Sequence, residues 1–265
     1  MSPSHGLAPA AAISAGDVEC IERATVAAVA PPLVEEIPGW LLAFDRGTIG
    51  RAHSAVPLAH DASVRADDVP AIVARYRQQG LAPSFRMADV SGLAAVHEAL
   101  RRAGCQPTQP TLTMVADVQA MLERCAAMAV PRASLSDTPD DIWARVYLGE
   151  GFDPVDGAHR VKAFGRAAGS LYARSFDAQG TRIVATGVGS FGFGWMGVHG
   201  MRTLPAQRGQ GHASGVLRAL AQAAAAQGVA RAYLQVEQDN IGAQAVYRRL
   251  GFGEAWVYHY WRARS

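Results

Sequence analysis

Lysine, cysteine and charged residues in general are scarce in this chain of 265 residues. Of its 25 basic residues only Lys162 is a lysine, charged residues make up 18% of the chain, and the formal net charge is +2. The chain therefore lacks the block of basic charge that is typical of a dedicated nucleic-acid-binding protein. Its hydrophobic content of 49% is high enough for a buried core and excludes an intrinsically disordered chain.

The three cysteines (Cys20, Cys105 and Cys125) form no CxxC pair, and no group of His and Cys residues has zinc-ligand spacing. We therefore expect reduced thiols and no metal site. The N-terminal segment lacks the basic and continuous apolar regions of a signal peptide. No run approaches the roughly 20 apolar residues that a membrane-spanning helix needs. The sequence predicts a soluble, cytoplasmic protein that does not bind a membrane.

Helical and strand patterns alternate along the whole chain, which predicts an α/β fold with a mixed sheet. Residues 40–44 and 48–56 have the pattern of a hairpin around Asp45-Arg46-Gly47. A helix is predicted from Ser136 to about Leu148. Residues 121–128 are ambiguous between a short helix and a linker. We place a domain boundary there, which predicts domains at residues 1–126 and 127–265.

The two predicted domains resemble each other in sequence. Gln79-Gly80-Leu81-Ala82 corresponds to Gln227-Gly228-Val229-Ala230, and Leu100–Cys105 corresponds to Tyr247–Phe252 at almost the same separation. The order of helices and strands around both matches is similar. A shared spacing of this kind predicts a degenerate duplication.

A glycine-rich segment, Met201–Ser214, lies between a predicted strand and an amphipathic helix, with glycines at 209 and 211. Such a turn points backbone N–H groups and the positive end of the helix at one place, which suits a diphosphate. Glycine lets a ligand approach the backbone closely, and Arg208 adds a positive charge. The spacing alone leaves open a glycine-rich connection that binds nothing.

This segment resembles the acyl-CoA-binding motif Q/R-x-x-G-x-G/A of the GNAT superfamily of N-acetyltransferases. A second signature of the superfamily, N-x-x-A-x-x-L-Y-x-x-x-G-F, is also present, with Val246 replacing its Leu. The resemblance covers about residues 127–265. It implies two GNAT-like domains, each a mixed, mostly antiparallel sheet flanked by helices, with two splayed strands for acyl-CoA in the second. The matching residues are Pro205, Arg208, Gly211 and Ala213 in the first motif, and Asn240, Ala243, Tyr247, Gly251 and Phe252 in the second.

The resemblance also implies acetyl-CoA as the cofactor and a role for each motif residue. The backbone of Met201 and Thr203 would pair with the pantetheine arm, one N–H would polarise the thioester carbonyl, and Tyr247 would donate a proton to the departing thiolate. Asn240 and Ala243 would contact the CoA arm, and Arg202 lies among the cofactor-binding positions. The pyrophosphate would be held by Arg208, Gly209, Gln210, Gly211, His212, Ala213 and Ser214.

The acceptor amine must lose a proton before it can attack. An alkylamine has a pKa of about 10.4, so at pH 7 about one molecule in a few thousand is neutral. His199 is our leading candidate for the base, because superfamily members often place the base on this strand. It precedes Thr203 by four residues on a predicted strand, so both side chains should share a face. Glu237, at the end of the next strand, is the rival and could act through a water molecule.

The resemblance thus implies an acetyl-CoA-dependent N-acetyltransferase that acts directly on a primary amine of a small molecule, as a monomer or homodimer. Another acyl-CoA, a protein N-terminus or lysine as acceptor, and a non-catalytic acyl-CoA sensor remain alternatives. We expect one active site, because the first half offers Asp61–Ala66 opposite the glycine-rich loop and Leu100 opposite Tyr247. The first half should form a wall of the acceptor cleft. Trp40 and Arg51 could face that cleft, although packing between the halves explains them equally well.

Overall fold

Eleven strands form one continuous sheet in the computed structural model, which describes residues 13–149 and 151–263. Eight α-helices flank this sheet in the described part of the chain. The helices are α1 (Ala15–Val29), α2 (Val69–Gln78), α3 (Ala94–Arg102), α4 (Val118–Ala126), α5 (Asp141–Ala144), α6 (Pro154–Arg166), α7 (His212–Ala226) and α8 (Ile241–Arg249). The strands are β1 (Leu33–Ile37), β2 (Trp40–Phe44), β3 (Ala55–Pro57), β4 (Ser84–Ala88), β5 (Cys105–Asp117), β6 (Ala133–Ser136), β7 (Leu171–Phe176), β8 (Ile183–Gly192), β9 (Trp195–Thr203), β10 (Arg231–Glu237) and β11 (Gly253–Ala263).

The two halves of the chain exchange their last strands. The strand order is β1-β2-β3-β4-β11-β5-β10-β9-β8-β7-β6, so β5 from the first half lies between two strands of the second half. β11 in turn pairs with β4 of the first half, and β5 and β11 pair antiparallel at the centre. Only the pairs β3–β4 and β9–β10 of the described sheet are parallel. The predicted mixed α/β fold is confirmed. Strands from both sides of the predicted boundary at residues 126–127 belong to this one sheet. The division into two domains therefore stays a prediction.

The repeated segments have the same local structure in both halves. Gly80 after α2 and Gly228 after α7 have φ values of 65° and 71°. Their N–H groups donate to the carbonyls of Arg77 and Ala225, each at 3.0 Å. The N–H groups of the next residues, Leu81 and Val229, donate to the carbonyls of Tyr76 and Ala224. Both helices therefore end with the same pair of hydrogen bonds. These matching helix ends support the predicted duplication.

Two local predictions need correction, and one that was left open is resolved. β2 pairs with β3 as expected, but residues 50–52 form a 3-10 turn instead of a strand, because the Gly50 backbone lies against the ring of Tyr260. The predicted helix from Ser136 is α-helical only in α5, and the N–H groups of Val146, Tyr147 and Leu148 then donate to carbonyls three residues back. The ambiguous residues 121–128 belong mostly to α4. β1, an edge strand with two glutamates, was not predicted.

The helices divide between the two faces of the sheet around β8 and β9. We call them the α1 face and the α7 face. On the α1 face, Val29 of α1 and Phe164 of α6 pack with Val188 of β8. On the α7 face, Leu217 of α7 and Met121 of α4 pack with residues of β8, β9 and β10. No helix in the described residues is long and apolar enough to cross a membrane.

Candidate active site

β9 and β10 run parallel for four residue pairs and then separate. The pairing extends from Trp195 and Arg231 to Val198 and Leu234. Both strands continue beyond this point, β9 along β8 and β10 along β5. A gap therefore opens between 199–203 of β9 and 235–237 of β10. We call this gap the fork; it corresponds to the predicted splay. Its facing backbone edges can pair with an extended ligand, as an added strand would.

A β-bulge shapes the β9 side of the fork. Val188 lies opposite His199 and Thr186 opposite Arg202, so three steps along β9 match two along β8. The extra residue lies next to Gly200, which has a φ of 57°. The hydroxyl of Tyr147 donates to the Gly200 carbonyl. A methyl group on Gly200 would lie 2.5 Å from that hydroxyl oxygen and 2.7 Å from the ring of Phe164. The bulge therefore requires glycine at this position.

The bulge also shifts the alternation of side chains along β9 by one residue, so side chains beyond it lie on the opposite face from the one expected. His199 and Arg202 lie on the α1 face, whereas Met201 and Thr203 lie on the α7 face. The sulfur of Met201 lies beside Gly187 and Val216 on that second face. The expectation that His199 and Thr203 share a face is therefore wrong, because the extra residue between them shifts the alternation by one.

The glycine-rich loop leads into a helix whose N-terminus is uncapped. Gly209 and Gly211 have φ values of 79° and 83°, and no side chain in the described part of the chain caps α7. The first hydrogen bond of the helix runs from the N–H of Gly215 to the carbonyl of Gly211. By contrast, α1, α4, α5, α6 and α8 are each capped by a Ser, Asp or Asn side chain. The loop thus presents free N–H donors and the positive end of α7.

The space in front of this loop is open. A methyl group on Gly209 would meet no atom within 4 Å. Arg208 is exposed, and its Nε lies 3.5 Å from the carbonyl oxygen of Thr203 at the end of β9. The side chains of His212 and Ser214 are buried, and Nδ1 of His212 lies 2.9 Å from Oγ of Ser175. Burial lowers the pKa of His212. These two residues therefore offer a ligand only their backbone N–H groups.

The second signature lies on and before α8. Oδ1 of Asn240 accepts the N–H of Ala243 at 3.1 Å and so caps the helix. Tyr247 is 7% exposed and packs against the ring of Phe252, with centroids 6.0 Å apart. Burial raises the pKa of Tyr247 to about 12, so its hydroxyl keeps its proton through the neutral pH range.

Gln244 is a structural residue of the site that the sequence analysis did not single out. It is buried, and its Nε2 donates to the carbonyls of Glu237 at 3.2 Å and Gln238 at 2.8 Å. It thereby holds the end of β10 against α8. The second signature treats this position as variable, so no motif pointed to it.

Arg51 of the first half reaches across the fork at the point where the strands separate. Its Nη1 lies 3.2 Å from Nδ1 of His199 on β9 and 2.7 Å from Oε1 of Gln235 on β10. Nε2 of Gln235 donates to Oγ1 of Thr25 on α1 at 3.1 Å. Nε2 of His199 lies 2.9 Å from Oγ of Ser190. Trp40, the other residue considered for the cleft, is instead fully buried in the core.

This network fixes the tautomer and the protonation state of the His199 ring. A guanidinium has donors only, so Nδ1 of His199 accepts from Arg51 and the ring proton lies on Nε2, facing Ser190. Burial and the nearby Arg51 cation hold the pKa of His199 well below its usual 6.5. His199 is therefore neutral, and its acceptor nitrogen is already engaged.

Glu237 lies at the exposed end of β10. It is two residues after Gln235, so its side chain projects from the same face. Its Oε1 accepts from Nε2 of Gln109 at 2.7 Å. Glu237 is thus a solvent-accessible carboxylate on the α1 side of the fork.

Beyond the bulge, one carboxylate holds together the first half, α6 and β9. Oδ2 of Asp156 lies 2.7 Å from Nε of Arg160 and 3.0 Å from Nη2 of Arg202. Its Oδ1 accepts from Oγ1 of Thr48 at 2.7 Å. Two cations share this carboxylate, so the cluster carries a net positive charge.

A cavity of about 420 Å³ lies next to this cluster, between residues 44–52 and α6. Its charged lining consists of Asp45, Arg46, Lys162 and Arg166. Arg166 forms an ion pair with Asp45 at 2.7 Å, which leaves Arg46 and Lys162 without a carboxylate partner among the described residues. This wall between the two halves is therefore positively charged as well.

The corresponding region of the first half is closed. β3 and β4 pair at one position, and the start of α3 packs on the loop that corresponds to the glycine-rich one. A methyl group on Gly92 would lie 2.3 Å from the carbonyl oxygen of His60. Oδ1 of Asp61 accepts the N–H of Ser63 at 2.8 Å within this loop, and Leu100 is buried in the core. These contacts support the expectation of a single site in the second half.

The fold, the fork and the uncapped helix define a GNAT-type acetyltransferase. Residues 15–261 match the family described as "Probable histone acetyltransferase Rv0428c C-terminal". The chain belongs to this family, within the GNAT superfamily.

Proteins that are named as N-acetyltransferases or GNAT proteins align with nearly the whole chain. The Bacillus subtilis (strain 168) protein named "Uncharacterized N-acetyltransferase YobR" is 24% identical over 250 residues, which cover 92% of this chain and 98% of that protein. A GCN5-related N-acetyltransferase from Kribbella flavida has a similar structure, with a TM-score of 0.68, 16% identity and 97% of each chain covered. A tandem GNAT protein from the clavulanic acid biosynthesis pathway aligns with a TM-score of 0.62 and 15% identity, over 96% of this chain and 89% of that one. These structural likenesses support the fold.

Proposed function

We propose that this acetyltransferase uses acetyl-CoA and transfers the acetyl group directly to the primary amine of a small molecule. The observation that carries this proposal is the fork, which opens beside the uncapped N-terminus of α7. The free edges of β9 and β10 suit an extended amide-containing arm, and the open loop suits a pyrophosphate. In the described part of the first half, α2 and α3 also lack a side-chain cap, but the loop before α2 is covered, because a methyl group on Gly92 would lie 2.3 Å from the carbonyl oxygen of His60.

Each part of the site would hold one part of acetyl-CoA. The backbone N–H groups of Gly209–Ser214, with the guanidinium of Arg208, would bind the pyrophosphate. The backbone of Met201 and Thr203 would pair with the pantetheine arm within the fork. When bound, acetyl-CoA supplies an acetyl group that is activated as a thioester. Asn240 and Gln244 would act indirectly, because they fix the N-terminus of α8 and the end of β10.

Tyr247 is proposed as the hydrogen-bond donor to the departing sulfur. Its pKa of about 12 keeps the proton on Oη at neutral pH. The departing thiolate, with an ordinary pKa of about 8.5, is a weaker base than this phenolate, so full proton transfer from Tyr247 would be uphill. Tyr247 would therefore act by donating an O–H hydrogen bond that strengthens as negative charge develops on sulfur in the transition state.

For the proton acceptor, we now favour Glu237 over His199. Glu237 is exposed on the α1 side of the fork and can reach an incoming amine through one water molecule. The lone pair on Nδ1 of His199 already accepts from Arg51. The low pKa of His199 also makes its ring a weak base. His199 would instead position the guanidinium of Arg51.

The charge around the fork favours a small molecule over a lysine-rich protein tail. The family description mentions histone acetyltransferase activity, which would need an acidic surface for a cationic tail. Here Arg51, Arg202, Arg160 and Lys162 outnumber the carboxylates of Asp156 and Glu237. A protein lysine therefore remains an outcome of the test.

A thiol-release assay with acetyl-CoA and a panel of amines tests the proposal, with Tyr247→Phe as the key variant. We expect turnover to fall by roughly 100-fold or more while acetyl-CoA still binds. Tyr76→Phe, which removes a buried hydroxyl from the first half, should leave turnover nearly unchanged. Binding of acetyl-CoA without turnover on any amine would contradict catalysis and favour a sensor. Turnover on histone peptides alone would contradict the small-molecule acceptor.

A further inference from the structure

Arg51 carries a charge that no carboxylate in the described residues neutralises. Both partners of its Nη1, His199 and Gln235, are neutral groups. Its Nε and Nη2 have no hydrogen-bond partner among the described residues. The residue is half-buried, and a cation removed from part of its hydration is more stable when an anion lies beside it.

The guanidinium of Arg51 lies at the point where β9 and β10 separate. Arg51 contacts the first residue of β9 and the first residue of β10 beyond their parallel pairing. It therefore lies at the closed end of the fork, on the face that carries Glu237. Its contacts to two strands and, through Gln235, to α1 hold the guanidinium in one place. The edge formed by Nε and Nη2 stays available for a bidentate carboxylate.

The surroundings offer no competing anion among the described residues. Glu22, which is buried in α1, lies 2.5 Å from Arg86 and is paired there. Asp156 is shared by Arg160 and Arg202, and Asp45 pairs with Arg166. Glu237 is exposed at the far end of the fork, bonded to Gln109. An anion for Arg51 would thus come from a ligand.

We propose that Arg51 is an acceptor-binding residue and that the acceptor is an amine that carries a carboxylate. This inference rests on the proposed function and adds the substrate class. Because Arg51 lies at the fork itself, the carboxylate would lie close to the reacting amine, as in an α-amino acid. The first half of the chain then supplies a specificity-determining side chain to the site of the second half.

Matched acceptor pairs test this inference. Each common L-amino acid is compared with its carboxamide in the thiol-release assay. The carboxamide lowers the pKa of the neighbouring amine and so makes it the more reactive amine at neutral pH. A preference for the free acid therefore reports binding of the carboxylate. We expect kcat/KM for the best amino acid to exceed that for its amide roughly 10- to 100-fold. This is the factor that one charge-assisted hydrogen-bonded pair contributes to binding.

Variants of Arg51 identify the group responsible. Arg51→Gln should raise KM for the amino acid roughly 10- to 100-fold, with little change for the amide and unchanged affinity for acetyl-CoA. Arg51→Lys should restore part of the preference. Arg65→Gln is the matched control, because Arg65 is exposed, lies in the first half and forms no ion pair with the described residues; it should behave as the wild type.

The outcomes separate this inference from the proposed function. Equal or better turnover of amides or diamines would overturn the carboxylate class and leave the acetyltransferase standing. An amino-acid preference that survives Arg51→Gln would overturn the role of Arg51. If no amine is acetylated and acetyl-CoA does not bind, the proposed function fails and this inference with it.

Discussion

Nη1 of Arg51 lies 3.2 Å from Nδ1 of His199, although the two residues are 148 positions apart in the chain. This contact joins a loop of the first half to the strand that forms the fork in the second half. Because β5 and β11 are exchanged as well, neither half of the sequence builds the site alone. The first half contributes Arg51 to the fork of the second half.

The neutral state of His199 predicts a pH dependence of stability. The folded chain holds the pKa of His199 well below 6.5, whereas the unfolded chain binds a proton near 6.5. The unfolded state therefore gains protons first as the pH falls, and stability decreases below about pH 6.5. Between pH 7.5 and pH 5 the unfolded pKa of 6.5 limits the loss from this one residue to at most about 2 kcal/mol.

Urea denaturation of the wild type and His199→Gln at these two pH values measures this contribution. The variant should lose less stability than the wild type on acidification, by up to about 2 kcal/mol. His60, whose pKa is lowered to about 4 by burial and the nearby Arg86 cation, should give a similar difference in His60→Gln. Parallel losses in the wild type and His199→Gln would show that His199 protonates freely in the folded chain.

Gly200 in the bulge should tolerate no side chain. In Gly200→Ala the new methyl group meets Tyr147 and Phe164 at 2.5–2.7 Å, and the residue must keep a φ of 57°. We expect a loss of roughly 2–4 kcal/mol in the free energy of unfolding and weaker binding of acetyl-CoA. Gly194 has a φ of 78°, and a methyl group there would meet no atom within 4 Å, so Gly194→Ala isolates the backbone cost of about 1 kcal/mol. Equal losses in the two variants would contradict a sterically locked bulge.

The exchange of β5 and β11 makes each half dependent on the other. The fragment 127–265 would lack the β5 that pairs with β10, and the fragment 1–126 would lack the β11 that pairs with β4. We expect each fragment alone to aggregate through its unpaired strand edge, and the two expressed together to form a complex. Size-exclusion chromatography measures this. A monomeric 127–265 fragment that binds acetyl-CoA would contradict the dependence.

Local patterns in the sequence predicted the fold class and the motif residues. The glycine-rich loop before α7 and the signature around Tyr247 depend on residues that are close in sequence, so their spacing carries the information. The helix ends at Gly80 and Gly228 are equally local, so the similarity of the two halves at these points could be predicted from the sequence.

Contacts between distant segments were beyond the reach of such patterns. The 3-10 turn at residues 50–52 packs against Tyr260, and the carbonyl of Gly200 in the bulge accepts a hydrogen bond from the hydroxyl of Tyr147. Strand alternation without that bulge placed the side chains of His199 and Thr203 on the same face. The contact of Arg51 with the fork, like the exchange of β5 and β11, arises only when the two halves pack together.

Calorimetric titration with acetyl-CoA tests the central claim, which is a single acyl-CoA site at the fork of the second half. The wild type should bind one acetyl-CoA per chain with a Kd in the micromolar range, and Arg208→Glu should weaken binding by about tenfold or more. Arg65→Glu reverses a charge in the corresponding loop of the first half and should leave binding unchanged. No binding by the wild type, two sites per chain, or equal losses in the two variants would contradict the account.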